Sequence, residues 1–119
     1  MHYQIIGDSI FGTTRTTPEG RAYDDEFRSN SPADYAFPPE QHKGVDLLIL
    51  MEHYGAKPAC RINTDFGMID IYQTPVLNGI IVCKCTYTDG LYSHSPAFRN
   101  TVSPLAIVNH FHNIRQVQP

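Results

Sequence analysis

The chain of 119 residues is 41% hydrophobic and 18% charged, which suits one globular domain with a modest core over residues 1–119 and excludes a second domain. Its 9 basic and 12 acidic side chains give a net charge of −3, without long runs of like charge. Nonspecific DNA binding and mimicry of a DNA polyanion are therefore excluded as functions.

Targeting signals and cysteine usage predict the cellular compartment. The N-terminal stretch MHYQIIGDS has no basic region followed by an apolar run, and the longest apolar run, residues 47–51, is too short to cross a bilayer. Three cysteines, Cys60, Cys83 and Cys85, are an odd number, which favours reduced thiols over a disulfide framework. We expect a cytoplasmic protein that does not bind membranes.

The stretch IIGDSIFG, residues 5–12, resembles the G-D-S block that carries the nucleophile of GDSL-type serine hydrolases. That family also has a G-x-N-D block and a late D-x-x-H, and this chain has neither. The spacing of Gly7 and Gly12 is similar to that of a phosphate loop, but Thr13 stands where such a loop needs lysine. We therefore interpret Ser9 as a strand residue beside a tight turn, and a hydrolase nucleophile is the alternative.

The first forty residues carry weak structural signals. Residues 2–13 are predicted to form a hairpin with its turn at Gly7-Asp8. Residues 12–39 are rich in Thr, Ser, Pro and Gly, which predicts a loop-rich segment that is mobile or binds a partner. Within it, Thr17 followed by Pro18 has the pattern of a helix start.

A first helix is predicted over residues 39–54. An apolar run follows a proline pair and stops at Gly55, with Pro58 close behind, which is a typical helix end. Because residues 45–51 contain six apolar side chains, we expect this helix to be largely buried.

The strongest strand signal lies in residues 66–94. The dipeptides NG at 78–79 and DG at 89–90 favour two-residue turns, and each lies between β-prone segments, so a three-stranded antiparallel meander is predicted. Pairing across these turns places the following side chains on one face: Met68, Asp70, Tyr72, Val76, Ile81, Cys83, Cys85, Tyr87, Tyr92 and His94. With the helices, this predicts an α+β fold, a small single domain in which the meander packs against two or three helices.

The predicted register places Cys85 beside His94, in the row next to Asp70, Tyr87 and Tyr92. A thiol beside an imidazole is the arrangement of a thiolate nucleophile, and Cys83 together with the same pair could instead hold a metal ion. The simpler interpretation is that the cysteines are small buried residues under packed tyrosines. We therefore predict no catalytic residue, metal or cofactor here, and a thiol enzyme is the alternative.

A second helix follows the strands, with Ser103 as its N-cap and Pro104 at its first position. Its apolar stripe consists of residues three and four apart: Ile107, Val108, Phe111 and Ile114. Its polar face is predicted to carry Asn109, His112, Asn113 and Gln116. Residues two apart on a helix project about 200° from each other, so His110 and His112 cannot chelate one ion.

Arginines and aromatic residues together suggest a site for an anion that carries a ring. Arginine can neutralise a phosphate while a neighbouring ring stacks on a base, whereas the alternative is a solvated loop whose rings pack on the core. The candidate binding residues are Arg15, Arg21, Arg28, Tyr23 and Phe27 in the loop segment and Tyr72, Tyr87, Tyr92, Asp70 and His94 on the sheet. The remaining arginines, Arg61, Arg99 and Arg115, are scattered and belong to no motif.

Because no nucleophile, base and oxyanion donor come together, we expect a non-catalytic binding protein that captures a small anionic, nucleotide-like ligand or blocks a protein partner. Its size is typical of phage or mobile-element inhibitors and of toxin-neutralising proteins. A small domain with a half-covered sheet also has reason to form a homodimer. The alternative is a small enzyme that uses Cys85 with His94, or Ser9.

Overall fold

The computed structural model describes residues 3–7, 15–16, 21–23, 34–37, 44–73 and 79–117, of which 15–16, 21–23 and 116–117 are described by their backbone alone. The strands are β1 Tyr3–Gly7, β2 Arg15–Thr16, β3 Arg21–Tyr23, β4 Cys60–Thr64, β5 Gly67–Gln73, β6 Ile80–Tyr87, β7 Tyr92–His94 and β8 Phe98–Arg99. The helices are α1 Gly44–His53 and α2 Pro104–Val117. Neither of these two helices has the length and apolar character needed to cross a membrane.

The described strands form one antiparallel sheet in the order β2-β3-β1-β4-β5-β6-β7, and β8 pairs with β6. Strands β4 to β7 are neighbours both in the chain and in the sheet, so the predicted meander is confirmed and has one strand more than expected. The two helices pack against this sheet, which agrees with the predicted α+β class.

Helix α2 forms the main core with the central strands. The hydroxyl of Ser103 accepts a hydrogen bond from the backbone N–H of Ala106 at 3.1 Å, which confirms the predicted N-cap. The first half of α2 is buried on all sides, and Asn109, predicted on its polar face, is only 2% exposed. That part of the prediction is wrong because residues 104–109 lie in the middle of the core, where a helix has no solvent face.

Helix α1 packs on the other side of the sheet, against Tyr72 and Val82. It ends in a turn typical of helix C-termini: Gly55 has a φ of 70°, and the N–H of Ala56 donates to the carbonyl of Met51 at 3.0 Å. Only three of its residues are buried, Gly44, Leu48 and Met51. The prediction of a largely buried helix is therefore wrong, because α1 lies near one edge of the sheet, over β6 and β7.

The predicted N-terminal hairpin over residues 2–13 is contradicted at Gln4, which pairs with Arg21 on one side and Asn63 on the other and so cannot pair with Phe11 as the hairpin requires. Residues 8–13 themselves lie outside the described residues. The predicted helix from Thr17 is contradicted as well, because Arg21–Tyr23 is a strand. Long-range pairing within the sheet overrides both local signals. Ser9 lies outside the described residues.

The turn between β6 and β7 sets a register one residue away from the predicted one. The N–H of Tyr87 donates to the carbonyl of Leu91 at 2.8 Å, and Gly90 has a φ of 88°, so the loop has three residues, 88–90. Cys85 therefore lies opposite Ser93, and His94 lies opposite Lys84.

The register between β5 and β6 differs from the prediction too. Asp70 lies opposite Lys84, where the two-residue turn at 78–79 had placed it opposite Tyr87. Gln73 already pairs with Ile81, so the connection between the strands is longer than two residues. The odd shift moves the side chains of β5 to the other face relative to β6.

Candidate functional site

The register divides the predicted sheet cluster between two faces. Ile69, Cys85 and Tyr87 belong to the core beneath α2. Asp70 and Tyr72 alternate with Ile69 along β5 and therefore lie on the opposite face of the sheet, the one that α1 covers. Tyr92 and His94 in β7 lie on this same α1 face, because His94 lies opposite Lys84, which in turn lies opposite Asp70. Tyr87 is thus separated from the four other predicted sheet residues.

The thiols lie in an apolar interior. Cys83 and Cys85 are fully buried, and desolvation raises the pKa of Cys85 to about 12 and that of Cys83 further above its ordinary value. The predicted adjacency of Cys85 and His94 is wrong. His94 lies opposite Lys84, and Cys85 follows Lys84 along β6, so the side chains of Cys85 and His94 face opposite sides of the sheet. Within the described ranges, no group of three or more His, Cys, Asp or Glu side chains could hold a metal ion.

We expect Cys85 to react slowly with iodoacetamide at pH 7. A pKa of about 12 lowers the thiolate fraction about a thousandfold relative to a free thiol, and burial blocks access as well. Labelling can be followed for each cysteine by peptide mass spectrometry, with the urea-unfolded protein as the control. Equal rates for Cys85 in the folded and unfolded protein would contradict its burial, and a rate in the folded protein far above that of the unfolded protein would revive the thiol-enzyme alternative.

The α1 face carries charges that pair within the chain. The Nε of Arg61 donates to Oδ1 of Asp70 at 2.7 Å, and Nζ of Lys84 lies 3.5 Å from a carboxylate oxygen of Glu52. Lys84 also lies 4.7 Å from the ring centroid of the exposed Tyr92. The first contact joins β4 to β5, the second joins β6 to α1, and the third joins β6 to β7, so the charged side chains of this face pair with one another.

An aromatic cleft opens on the other side, where the turns β4–β5 and β6–β7 meet the second half of α2. It has a volume of about 200 Å³, and its lining residues are Phe66, Tyr87, Thr88, His112 and Arg115. The β4–β5 turn is shaped by Thr64, whose hydroxyl accepts the N–H groups of Phe66 and Gly67 at 3.2 and 3.1 Å. A Cβ at Gly67 would lie 2.5 Å from the carbonyl oxygen of Thr86, so only glycine allows this close approach.

The rings of the cleft are fixed by contacts on several sides. The hydroxyl of Tyr87 donates to the carbonyl of Phe111 at 2.7 Å, which anchors β6 to α2. The ring centroid of Phe66 lies 6.0 Å from that of Tyr87 and 5.6 Å from that of His112. The cleft is therefore largely preformed.

Arg115 supplies the positive charge of the cleft. Its guanidinium carbon lies 4.2 Å from the ring centroid of Tyr87, and its Nη2 makes an ion pair with Asp89. The hydrogen bond from Arg115 lowers the pKa of Asp89, so this carboxyl stays ionised at neutral pH. The guanidinium can thus hold one carboxylate and lie against one ring at the same time.

Sequence reasoning identified only Tyr87 among the lining residues. Arg115 belongs to no motif in the sequence, although its spacing of four from Phe111 places it one turn further along the same stripe of α2. His112, predicted on the polar face of α2, packs its ring against Phe66. The helical spacing of these residues can be predicted from the sequence, whereas the contact between α2 and the β4–β5 turn cannot.

The loop candidates lie elsewhere. Arg15 is in β2, and Arg21 and Tyr23 are in β3, at the sheet edge opposite β7. Two strands, β1 and β4, separate β3 from β5, which corresponds to about 14 Å across the sheet. Phe27 and Arg28 lie outside the described residues.

Comparison of the chain with protein-family models, with curated proteins and with solved structures finds no match. Functional inference therefore depends on the chemistry of the side chains described above.

Proposed function

We propose that the protein is a non-catalytic binding domain that captures a small anionic ligand with a planar ring, of which nucleotides are one class. The observation that carries this proposal is the position of Arg115 over the ring of Tyr87, in a cleft that Phe66 and His112 also line. An arginine beside aromatic rings offers a charge for an anion and flat surfaces for a ring.

The size of the cleft limits what it can hold. Its volume of about 200 Å³ is below the range of about 300–1,000 Å³ that is usual for drug-sized ligands. One ring or one phosphate group would enter it, and the rest of a nucleotide would remain at the surface. We therefore propose modest affinity and selection by charge and flatness.

The ion pair with Asp89 also affects the affinity. An anionic ligand has to share Arg115 with a carboxylate that is ionised at neutral pH. Replacing Asp89 by asparagine removes this competition and is expected to tighten binding. A neutral ligand would gain nothing from that substitution, so the variant separates charge recognition from stacking.

The variant Arg115→Ala should bind the ligand about tenfold to a hundredfold more weakly. It removes a charge-assisted hydrogen bond, which contributes about 1.5–3 kcal/mol. The measurement is titration calorimetry with a panel of mono-, di- and cyclic nucleotides. Arg61→Ala is the matched control, because Arg61 also pairs with an aspartate but lies on the α1 face, away from the cleft.

The loop arginines are tested in the same panel. If Arg15→Ala, Arg21→Ala or Arg28→Ala weakens binding while Arg115→Ala does not, the ligand binds at the loop segment and the proposal for the cleft is wrong. If no nucleotide binds, capture of a nucleotide-like anion is wrong, and a domain that blocks a protein partner becomes the proposal. A pull-down from the host cell would then be the next experiment.

A further inference from the structure

Helix α1 leaves apolar side chains in solvent. Val45, Ile49 and Leu50 on α1 and Tyr54 directly after it are 38, 61, 45 and 77% exposed. Contiguous exposed apolar side chains on a soluble domain mark an interaction surface. What covers this face can be inferred from the charges that border it.

The exposed stripe of α1 has a symmetric order. Asp46, Ile49, Leu50 and His53 are spaced by three, one and three residues, so they follow one another along one side of the helix. Asp46 lies in the first turn and His53 in the last, and both are exposed. The stripe therefore reads acid, two apolar residues, base.

We propose that a second copy of the chain covers this face by packing its own α1 antiparallel, across a two-fold axis between Ile49 and Leu50. In this register each Asp46 lies opposite the partner subunit's His53, and Ile49 lies opposite the partner subunit's Leu50. Val45 meets the partner subunit's Tyr54 at each end. An isologous interface requires such a self-complementary order of residues.

Two further features favour a second copy as the occupant. Glu52, the other acidic residue of α1, pairs with Lys84 of its own chain at 3.5 Å and borders the stripe without entering it. Antiparallel packing also places the negative end of one helix dipole beside the positive end of the other. An unrelated partner would have to supply both complements, whereas this chain already contains them.

The expected dimer is weak. A helix of 10 residues is about 15 Å long, so one helix pair buries less than the 1,200 Å² or so of a stable interface. The oligomeric state should therefore change between about 1 µM and about 1 mM protein. The cleft beside Arg115 lies on the other side of the sheet, so this inference is independent of the proposed ligand.

Sedimentation of the full chain across this concentration range tests the proposal. The parent should change from monomer to dimer, and Ile49→Glu should remain monomeric. Leu91→Glu is the matched control, because Leu91 is 62% exposed but lies next to the β6–β7 turn, away from α1, and this variant should dimerise like the parent. A parent that is monomeric at every concentration, or an Ile49→Glu variant that still dimerises, would overturn the proposal.

A charge exchange tests the antiparallel register. Asp46→Arg alone and His53→Asp alone should each weaken the dimer about twofold to tenfold, because the first removes the carboxylates that accept from the imidazoles and the second places carboxylates opposite each other at both ends. The double variant D46R/H53D places opposite charges at both positions and should dimerise at least as well as the parent. If it dimerises no better than the single variants while its circular dichroism is unchanged, the antiparallel register is wrong.

Discussion

The variant Phe111→Ala is expected to lose about 3–5 kcal/mol of its free energy of unfolding, the usual cost of truncating a buried phenylalanine. Phe111 is fully buried in the core that α2 forms with the sheet. Its truncation leaves a cavity beneath the strand whose Tyr87 hydroxyl bonds to the carbonyl of the same residue. Because small domains are stable by only about 5–15 kcal/mol, the variant should melt far below the parent.

Urea denaturation followed by circular dichroism measures this loss. Leu91→Ala is the control, because its exposed side chain leaves no cavity and should change stability by less than about 0.5 kcal/mol. A loss below about 1 kcal/mol for Phe111→Ala would mean that α2 does not pack on the sheet as described. The proposed binding of an anion in the cleft should also weaken in this variant, since α2 carries Arg115 and His112.

Helix α2 could be predicted from the sequence because its signals are local. Ser103 and Pro104 mark its start, and the spacing of Ile107, Phe111 and Ile114 marks its inner face. Burial of Asn109 could not be predicted this way. It depends on what surrounds the first turns of the helix, which is a property of the whole fold.

The sheet shows how one residue in a turn changes a proposed site. A dipeptide such as Asp89-Gly90 suits both a two-residue loop and the last two positions of a three-residue loop. The second choice has Gly90 in the left-handed conformation and an N–H of Leu91 that donates to the Asp89 carboxylate at 3.0 Å. This choice places His94 and Cys85 on opposite faces, so the predicted thiol–imidazole pair does not form.

The N-terminal strand β1 has partners in the sheet that local sequence does not predict. Tyr3 and Ile5 are buried, and β1 lies between β3 and β4, which come from distant parts of the chain. The sequence correctly indicated that the strand ends at Gly7, because β1 ends there and Gly7 has a φ of 102°. The partner of the strand could not be read from its neighbours in sequence, because β4 follows more than fifty residues later.

Stability is expected to fall as the pH rises from 7 to 10, because two buried thiols must ionise on unfolding. The pKa of Cys85 is raised to about 12 and that of Cys83 is also raised, in both cases mainly by desolvation. A thiol that is protonated when folded and ionised when unfolded contributes stability fully below the unfolded pKa, about 9. That contribution is lost as the pH rises towards the folded pKa, at about 1.4 kcal/mol per thiol for each pH unit.

Together the two thiols should cost about 3 kcal/mol of unfolding free energy between pH 7 and pH 10. Burial also raises the pKa of Tyr72 and Tyr87, so both tyrosines add to the loss above about pH 10. The measurement is urea denaturation at intervals of one pH unit with reductant present. The variant C83A/C85A should start lower at pH 7, because two buried sulfur atoms are removed, and then fall less steeply towards pH 10. If both proteins lose the same free energy over this range, the thiols are accessible to water in the folded protein, and their assignment to the core is wrong.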